Sequence, residues 1–256
     1  MPLFVKDGHD IVECRDCGTA FVAQDPATID FAALCGEAYD TGGSDAVFAD
    51  YVGQEAARRA HARRKLWLLR HLPPRLPRAG RLLDVGCAAG FFLAEARVFY
   101  EVQGVELSAW SSAYARDRLG LPVVTGTLQQ AALPAAHFDI VTLWDVIEHM
   151  PDPVPLLAEA ARVLEPGGRL LLTTGDWGSA YARARGANWH LMTPPWHPSF
   201  FTRRSMALAG RRAGLRLVHC ASEGVAGDGR FWRSRPGRMA GRLLDRGDIL
   251  RMSFTR

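Results

Sequence analysis

Residues 81–106, RLLDVGCAAGFFLAEARVFYEVQGVE, constrain this chain more than any other stretch. Strand-forming positions lead into Asp84. A glycine-bearing turn runs from Gly86 to Gly90, a helical run follows, and a second short strand ends in Glu106. Glycine lets the backbone turn and approach a ligand without a Cβ clash. The helix start presents N–H groups without intrahelical partners. The second acid, 22 residues after the first, can accept hydrogen bonds from both hydroxyls of a ribose. The pattern predicts a nucleoside-binding βαβ unit.

The glycine spacing narrows the nucleoside. A dinucleotide fold wants G-x-G-x-x-G, because a pyrophosphate sits on the helix N-terminus. Here the order is Asp84-x-Gly86-x-x-x-Gly90, with Ala88 and Ala89 inside the turn, and no Gly-Lys-Ser/Thr follows. An acid at the strand tip repels a pyrophosphate and suits a ligand carrying an ammonium and a sulfonium.

Three further blocks follow in order. Phe138 to Pro153 reads FDIVTLWDVIEHMPDP, Leu156 to Thr174 reads LLAEAARVLEPGGRLLLTT, and Trp189 to Leu215 carries a Pro/His/aromatic loop and a helix. Together with the first block, this order over residues 79–222 resembles the class I S-adenosylmethionine-dependent methyltransferases. The resemblance implies an α/β fold: a Rossmann-like, seven-stranded, mostly parallel sheet with an antiparallel last strand, helices on both faces and a small N-terminal appendage. It divides the chain into an N-terminal region, 1–54, and a methyltransferase domain, 55–256. The core of that domain is 79–222, followed by an insertion, 224–247, and a last strand, 248–254. Part of the insertion, Arg230 to Arg246, could form a basic amphipathic helix.

Local signals set the elements. A helix is expected over Gln54–His71, stopped by Pro73, Pro74 and Pro77. Strands are expected near 81–85, 102–107, 122–126, 138–144, 169–174 and 215–222. Ser108 and Thr202 are natural N-caps, as is Asp152 with Pro153 in the first helical position.

The resemblance also assigns roles. Asp84, Gly86, Cys87 and Gly90 form the cofactor turn, and Glu106, followed by Leu107, meets the ribose. Thr127 and Leu128, helped by Gln129, stand where the adenine would lie, although the acid often found there in related enzymes is absent. Trp144 and Asp145 flank the methionine part of S-adenosyl-L-methionine, the implied cofactor. His149 has three open readings: a residue that only shapes the site, a general base for an acceptor hydroxyl, or, with Asp145 and Glu148, a ligand to magnesium or a similar ion. His197 is a second base, an acceptor-orienting group or a structural histidine. His190, Trp189, Trp196, Phe200 and Phe201 belong to the same loop.

The sequence Cys14-Arg-Asp-Cys17-Gly18 is half of a zinc ribbon, which needs four ligands. Cys35 offers one more sulfur and His9 a nitrogen. Related methyltransferases often carry two such knuckles and here the first is missing, so the region reads as a degenerate ribbon with zinc the lesser alternative. Cys87 reads as a small turn residue and Cys220 as a core residue. Five cysteines, an odd count, fit no disulfide framework.

No apolar run approaches a membrane span and the first ten residues are too polar for a signal peptide, so a cytoplasmic protein is expected. The net charge of +4 is uneven: residues 203–256 hold 13 arginines against four acids, a net +9 that leaves −5 for the rest. Such a patch could meet nucleic acid. The 29 arginines against two lysines, in an alanine-rich chain, point instead to a compositional bias. The expected activity is methyl transfer to a small organic acceptor, with O-methylation favoured by the histidines and aromatics of the site. An RNA-directed methyltransferase and a non-catalytic binding protein on the same fold are the alternatives.

Overall fold

The computed structural model describes residues 1–24, 51–71, 79–223 and 247–256. Cys35, Pro73, Pro74, Pro77, the region 224–246 and its expected basic helix lie outside the described residues.

The N-terminus is a hairpin of β1 (Pro2–Lys6) and β2 (His9–Glu13), continued by β3 (Ala20–Val22). Helix α1 (Glu55–His71) carries the long N-terminal amphipathic run, with Ala62, Leu66 and Leu69 buried at the helical period. Then come β4 (Arg81–Val85), α2 (Phe91–Ala96), β5 (Glu101–Glu106), α3 (Ala109–Leu119), β6 (Val123–Thr125) and β7 (Phe138–Trp144). A 3-10 turn at Ile147–His149 precedes α4 (Val154–Val163), β8 (Leu164–Gly175) and α5 (Ala180–Arg185). The chain ends in β9 (Ser199–Phe200), α6 (Arg203–Arg212), β10 (Arg216–Glu223) and β11 (Ile249–Thr255). The strand order of the large sheet is β10-β11-β8-β7-β4-β5-β6. It is mostly parallel, with the last strand antiparallel and helices around it, as the sequence implied. Among the described residues no helix is long and apolar enough to cross a membrane.

The expected caps form. The Ser108 side chain accepts from the Ser111 amide, and Thr202 and Ser205 make a reciprocal capping box. One boundary differs. Strand β8 starts at Leu164 and not at 169. Its Pro-Gly-Gly segment turns through Gly167, at φ +80°, and Gly168 fits against backbone: a Cβ there would lie 3.0 Å from the carbonyl oxygens of Asp139 and Glu165.

The described chain groups into two compact units. One comprises Asp30–Trp144, Glu159–Leu170 and Thr255–Arg256. Its parallel register pairs Asp84 with Gly104 and Thr142, and Val85 with Val105 and Leu143. Leu82, Leu83, Leu93, Ile140 and Leu143 are fully buried there. The turn after β4 depends on Gly90, whose φ is +82° and whose Cβ, if present, would lie 3.0 Å from the Cβ of Ala115 and 2.6 Å from Leu121 Cδ1. The Gly90→Ala variant should therefore combine left-handed strain with overpacking and lose about 2–4 kcal/mol. Urea unfolding checks this, and a loss below measurement error would show that the turn relaxes.

The other unit comprises Met1–Ile29, Asp145–Ala158 and Leu171–Phe254. Here β1, β2, β3 and β9 form a four-stranded sheet, and Ala20 and Phe21 pair with Phe200 and Ser199. Ile11, Ala20, Val22, Trp177, Trp189 and Phe200 make its core.

Candidate functional site

The nucleoside cradle is built within the first unit. Glu106 ends β5 with both carboxylate oxygens held: Oε2 accepts from the Ala88 amide and Oε1 from the Ser108 amide, each at 2.8 Å. These bonds fix the carboxylate plane at the mouth of the glycine turn. A carboxylate has about four acceptor positions, and these two amides take one on each oxygen. The turn reaches Glu106 because Gly86, Ala88 and Gly90 all have positive φ. Gly104 completes the cradle. A Cβ there would meet Cys87 Sγ at 2.7 Å and Leu93 Cδ1 at 2.8 Å. Sequence reasoning passed over Gly104; a glycine inside a strand was the available signal.

Asp84 is 2 % exposed, and its Oδ1 accepts from the Thr142 hydroxyl at 2.6 Å. Burial pushes its pKa up to about 7, while the Thr142 bond and Lys65 act to lower it and Glu106 to raise it. The ordinary value is 3.8. A carboxyl raised on folding contributes stability below its ordinary pKa, and that contribution is lost as pH rises through about 7. A bound cation reverses the preference, because it favours the ionised form. Affinity for a cationic nucleoside should therefore rise as pH increases through neutrality, and Asp84→Asn should abolish that rise. Titration calorimetry across this range checks it, and a flat wild-type profile would refute it.

Trp144, at the end of β7, packs edge-to-face on Phe92 at 5.3 Å between ring centroids. Its buried Nε1 has no hydrogen-bond partner among the described residues. Lys65 of α1 lies 5.0 Å from the centre of the Trp144 ring and acts electrostatically on Asp84. No local pattern points to Lys65, one of the two lysines in the chain. Leu107 is half-buried beside the cradle, and Leu128 is in the core. Thr127 is exposed, and its amide donates to Gln130 Oε1 at 2.8 Å while Gln130 returns a bond to its hydroxyl. Gln130 thus braces this turn, next to Gln129.

A pocket in the second unit is lined by Glu148, Thr174, Gly175, Trp189, Leu191, His197, Ser199 and Phe200. The His149 and His197 rings lie 4.9 Å apart, centroid to centroid. His149 Nδ1 is 2.7 Å from the Trp196 carbonyl oxygen, and His197 Nδ1 is 2.9 Å from that of Leu191. A carbonyl oxygen only accepts, so each Nδ1 carries the hydrogen and Nε2 is the lone pair of the neutral ring. Burial, helped by His149, drives the His197 pKa down to about 4. Burial also lowers that of His149, opposed by its Trp196 bond and by Asp145. The buried Thr174 hydroxyl has no hydrogen-bond partner among the described residues. Gly175 makes room for Trp189, whose Cη2 would lie 2.7 Å from a Cβ at that position.

Asp145, Glu148 and His149 do not converge. Asp145 is left-handed, with φ 59°, and its Oδ1 accepts from the Thr173 hydroxyl at 2.6 Å. His149 is turned toward the Trp196 carbonyl. Among the described residues no cluster of three or more His, Cys, Asp or Glu side chains could hold a metal ion, at this position or around Cys14 and Cys17. Hydrogen bonds from Cys17 and Asp16 lower the Cys14 thiol pKa. His190 pairs with Asp248 at 3.5 Å and stacks near Tyr181, apart from the histidine pair. Phe201 is buried, and Cys220 is half-buried and not fully in the core.

A seven-stranded α/β sheet with an acid-flanked glycine turn and a ribose-type glutamate defines the class I S-adenosylmethionine-dependent methyltransferases. Residues 54–220 match a family profile described as a methyltransferase domain, and the chain belongs to that family. A ubiquinone biosynthesis O-methyltransferase of Thiobacillus denitrificans is 39% identical over 115 residues, 41% of this chain and 49% of the relative. The enzyme of that name from Xanthomonas axonopodis is 36% identical over 114 residues, with shares of 41% and 48%. The chain thus spans about half the length of the curated relatives it matches. A solved S-adenosylmethionine-dependent methyltransferase from Mesorhizobium loti superposes with TM-score 0.54 at 22% identity, covering 71% of this chain and 94% of that one. A possible histamine N-methyltransferase from Thermotoga maritima gives TM-score 0.53 at 22% identity, with 80% and 95% covered. These two show the fold.

The cradle fits S-adenosylmethionine. Asp84 is a buried carboxylate able to face a cation, Trp144 holds a buried donor with no partner among the described residues, and Glu106 is fixed by the Ala88 and Ser108 amides at the glycine turn.

Proposed function

We propose that this chain methylates a hydroxyl oxygen of a small organic acceptor. The observation that carries the reading is the histidine pair: two rings in contact, each with Nδ1–H committed to a backbone carbonyl and each with its pKa lowered. Neutral imidazoles of this tautomer can take a proton at Nε2. Trp189 and Phe200, core residues of the unit, line the pocket's wall, and the Thr174 hydroxyl offers an acceptor a polar partner. The O-methyltransferase names of the partial relatives support the same acceptor atom.

When bound, S-adenosylmethionine supplies an electrophilic methyl on sulfur. Glu106 holds the ribose and Asp84 the ammonium, so the methyl donor is fixed in one orientation, and such positioning can be worth ~10⁵–10⁸ M in effective molarity. His149 Nε2 accepts the hydroxyl proton. His197, with its pKa near 4, stays uncharged and orients the acceptor. The aromatic walls exclude water that would compete as nucleophile. A panel of phenols, aliphatic alcohols, amines and carboxylates, assayed with methyl-labelled cofactor, tests the reading. Labelling of phenols or alcohols supports it, and turnover confined to amines or to RNA would overturn it.

A further inference from the structure

Cys14 and Cys17 stand apart from the cofactor and acceptor chemistry. They close the turn between β2 and β3, where the Cys14 amide donates to the Thr19 carbonyl and the Gly18 amide to the Cys14 carbonyl, both at 2.9 Å. Gly18 permits this fold-back with φ +78°. Hydrogen bonding from Cys17 and Asp16 lowers the Cys14 thiol pKa, and the Cys17 sulfur lies 3.3 Å from the Thr19 hydroxyl oxygen. Both side chains are partly exposed, and neither is in a disulfide. No third ligating side chain joins them among the described residues. Two thiols three residues apart in one tight turn, both partly exposed and with no further ligand among the described residues, form a dithiol.

We infer that Cys14 and Cys17 close reversibly into an intramolecular disulfide, with a small-molecule disulfide as oxidant. The Cys14 thiolate attacks one sulfur of the oxidant, whose S–S bond breaks and releases one thiolate. Cys17, as thiolate, then attacks the mixed disulfide at Cys14, and the second thiolate leaves as the Cys14–Cys17 bond forms. Two protein thiols are oxidised, one disulfide is reduced to two thiols, and the two protons pass to the leaving thiolates.

The turn is mechanically connected to the acceptor pocket within its own unit. Glu13, next to Cys14, accepts from Trp177 Nε1 at 3.1 Å and pairs with Arg183. Ala20, three residues beyond Cys17, pairs with Phe200, and the Val22 amide donates to the Pro198 carbonyl. Ser199 and Phe200 line the pocket. A disulfide, with its restricted dihedral, would reshape the turn and shift the protection of β3 and β9. The inference does not depend on which acceptor is methylated.

The full chain treated with glutathione disulfide at neutral pH, then alkylated and digested, gives the test. The peptide holding both cysteines should lose both alkylation sites and about 2 Da, and dithiothreitol should restore them. Cys14→Ser and Cys17→Ser should each abolish the internal bond and leave a glutathione adduct or a free thiol on the remaining cysteine. Hydrogen exchange should change in residues 18–22 and 198–201 and stay constant in 81–106. Two thiols that remain alkylatable in excess oxidant would overturn the inference, as would a need for chelator before they react. Unchanged exchange in β3 and β9 would overturn the link to the pocket.

Discussion

The Glu106→Ala variant is expected to bind S-adenosylmethionine about 10²–10⁴-fold more weakly than the wild type. Hydrogen bonds to a charged group contribute roughly 1.5–3 kcal/mol each, and two ribose hydroxyls give about 3–6 kcal/mol, which converts to that range. The substitution also releases the Ala88 and Ser108 amides that Glu106 now holds, so the glycine turn loosens as well. Glu106→Gln separates the two effects. It keeps the side-chain shape but faces one of the two backbone N–H groups with an NH₂, so it should retain part of the fold support and lose most of the affinity. Calorimetric titration measures binding, and circular dichroism confirms folding. Wild-type affinity in a folded Glu106→Ala variant would remove the ribose assignment and, with it, the basis for reading residues 81–106 as a nucleoside site.

His149→Ala should slow methyl transfer by ~10²–10⁴-fold, the usual contribution of a positioned base, and leave cofactor affinity unchanged. The effect should fall on kcat and not on the cofactor KM, since the ring lies in the acceptor pocket's unit. The pH profile gives a second readout. His149 has a lowered pKa from burial, so it is a base through neutrality. The wild-type rate should decline only as pH falls below the ordinary histidine range, when the ring takes a proton. The variant should lack that acid limb. A His149→Ala enzyme with full activity and an unaltered profile would leave the imidazole as a brace for the Trp196 carbonyl.

The readings that the structure reproduces are those whose partners are close in sequence. Ser108 caps its own helix three residues away, Thr202 and Ser205 cap theirs, and Asp84, the glycine turn and Glu106 fall within one βαβ unit. The convergence of Asp145, Glu148 and His149 was not legible, because short spacing does not give direction. A left-handed Asp145 points its carboxylate at Thr173, while His149 turns to Trp196.

Sequence alone determined the chain order of the large sheet's strands, the acid-glycine-acid signature and the family, because each rests on local chemistry; it did not announce the N-terminal strands or β9. Tertiary structure decided which distant groups share a space. It set His149 edge-to-face against His197, 48 positions later, set Lys65 over Trp144, made room for Cys87 and Leu93 beside Gly104, and joined β3 to β9. Those pairings come from burial and backbone hydrogen bonding across long loops, where the closure entropy depends only weakly on separation. No residue pattern in one segment can announce a partner that only packing brings near.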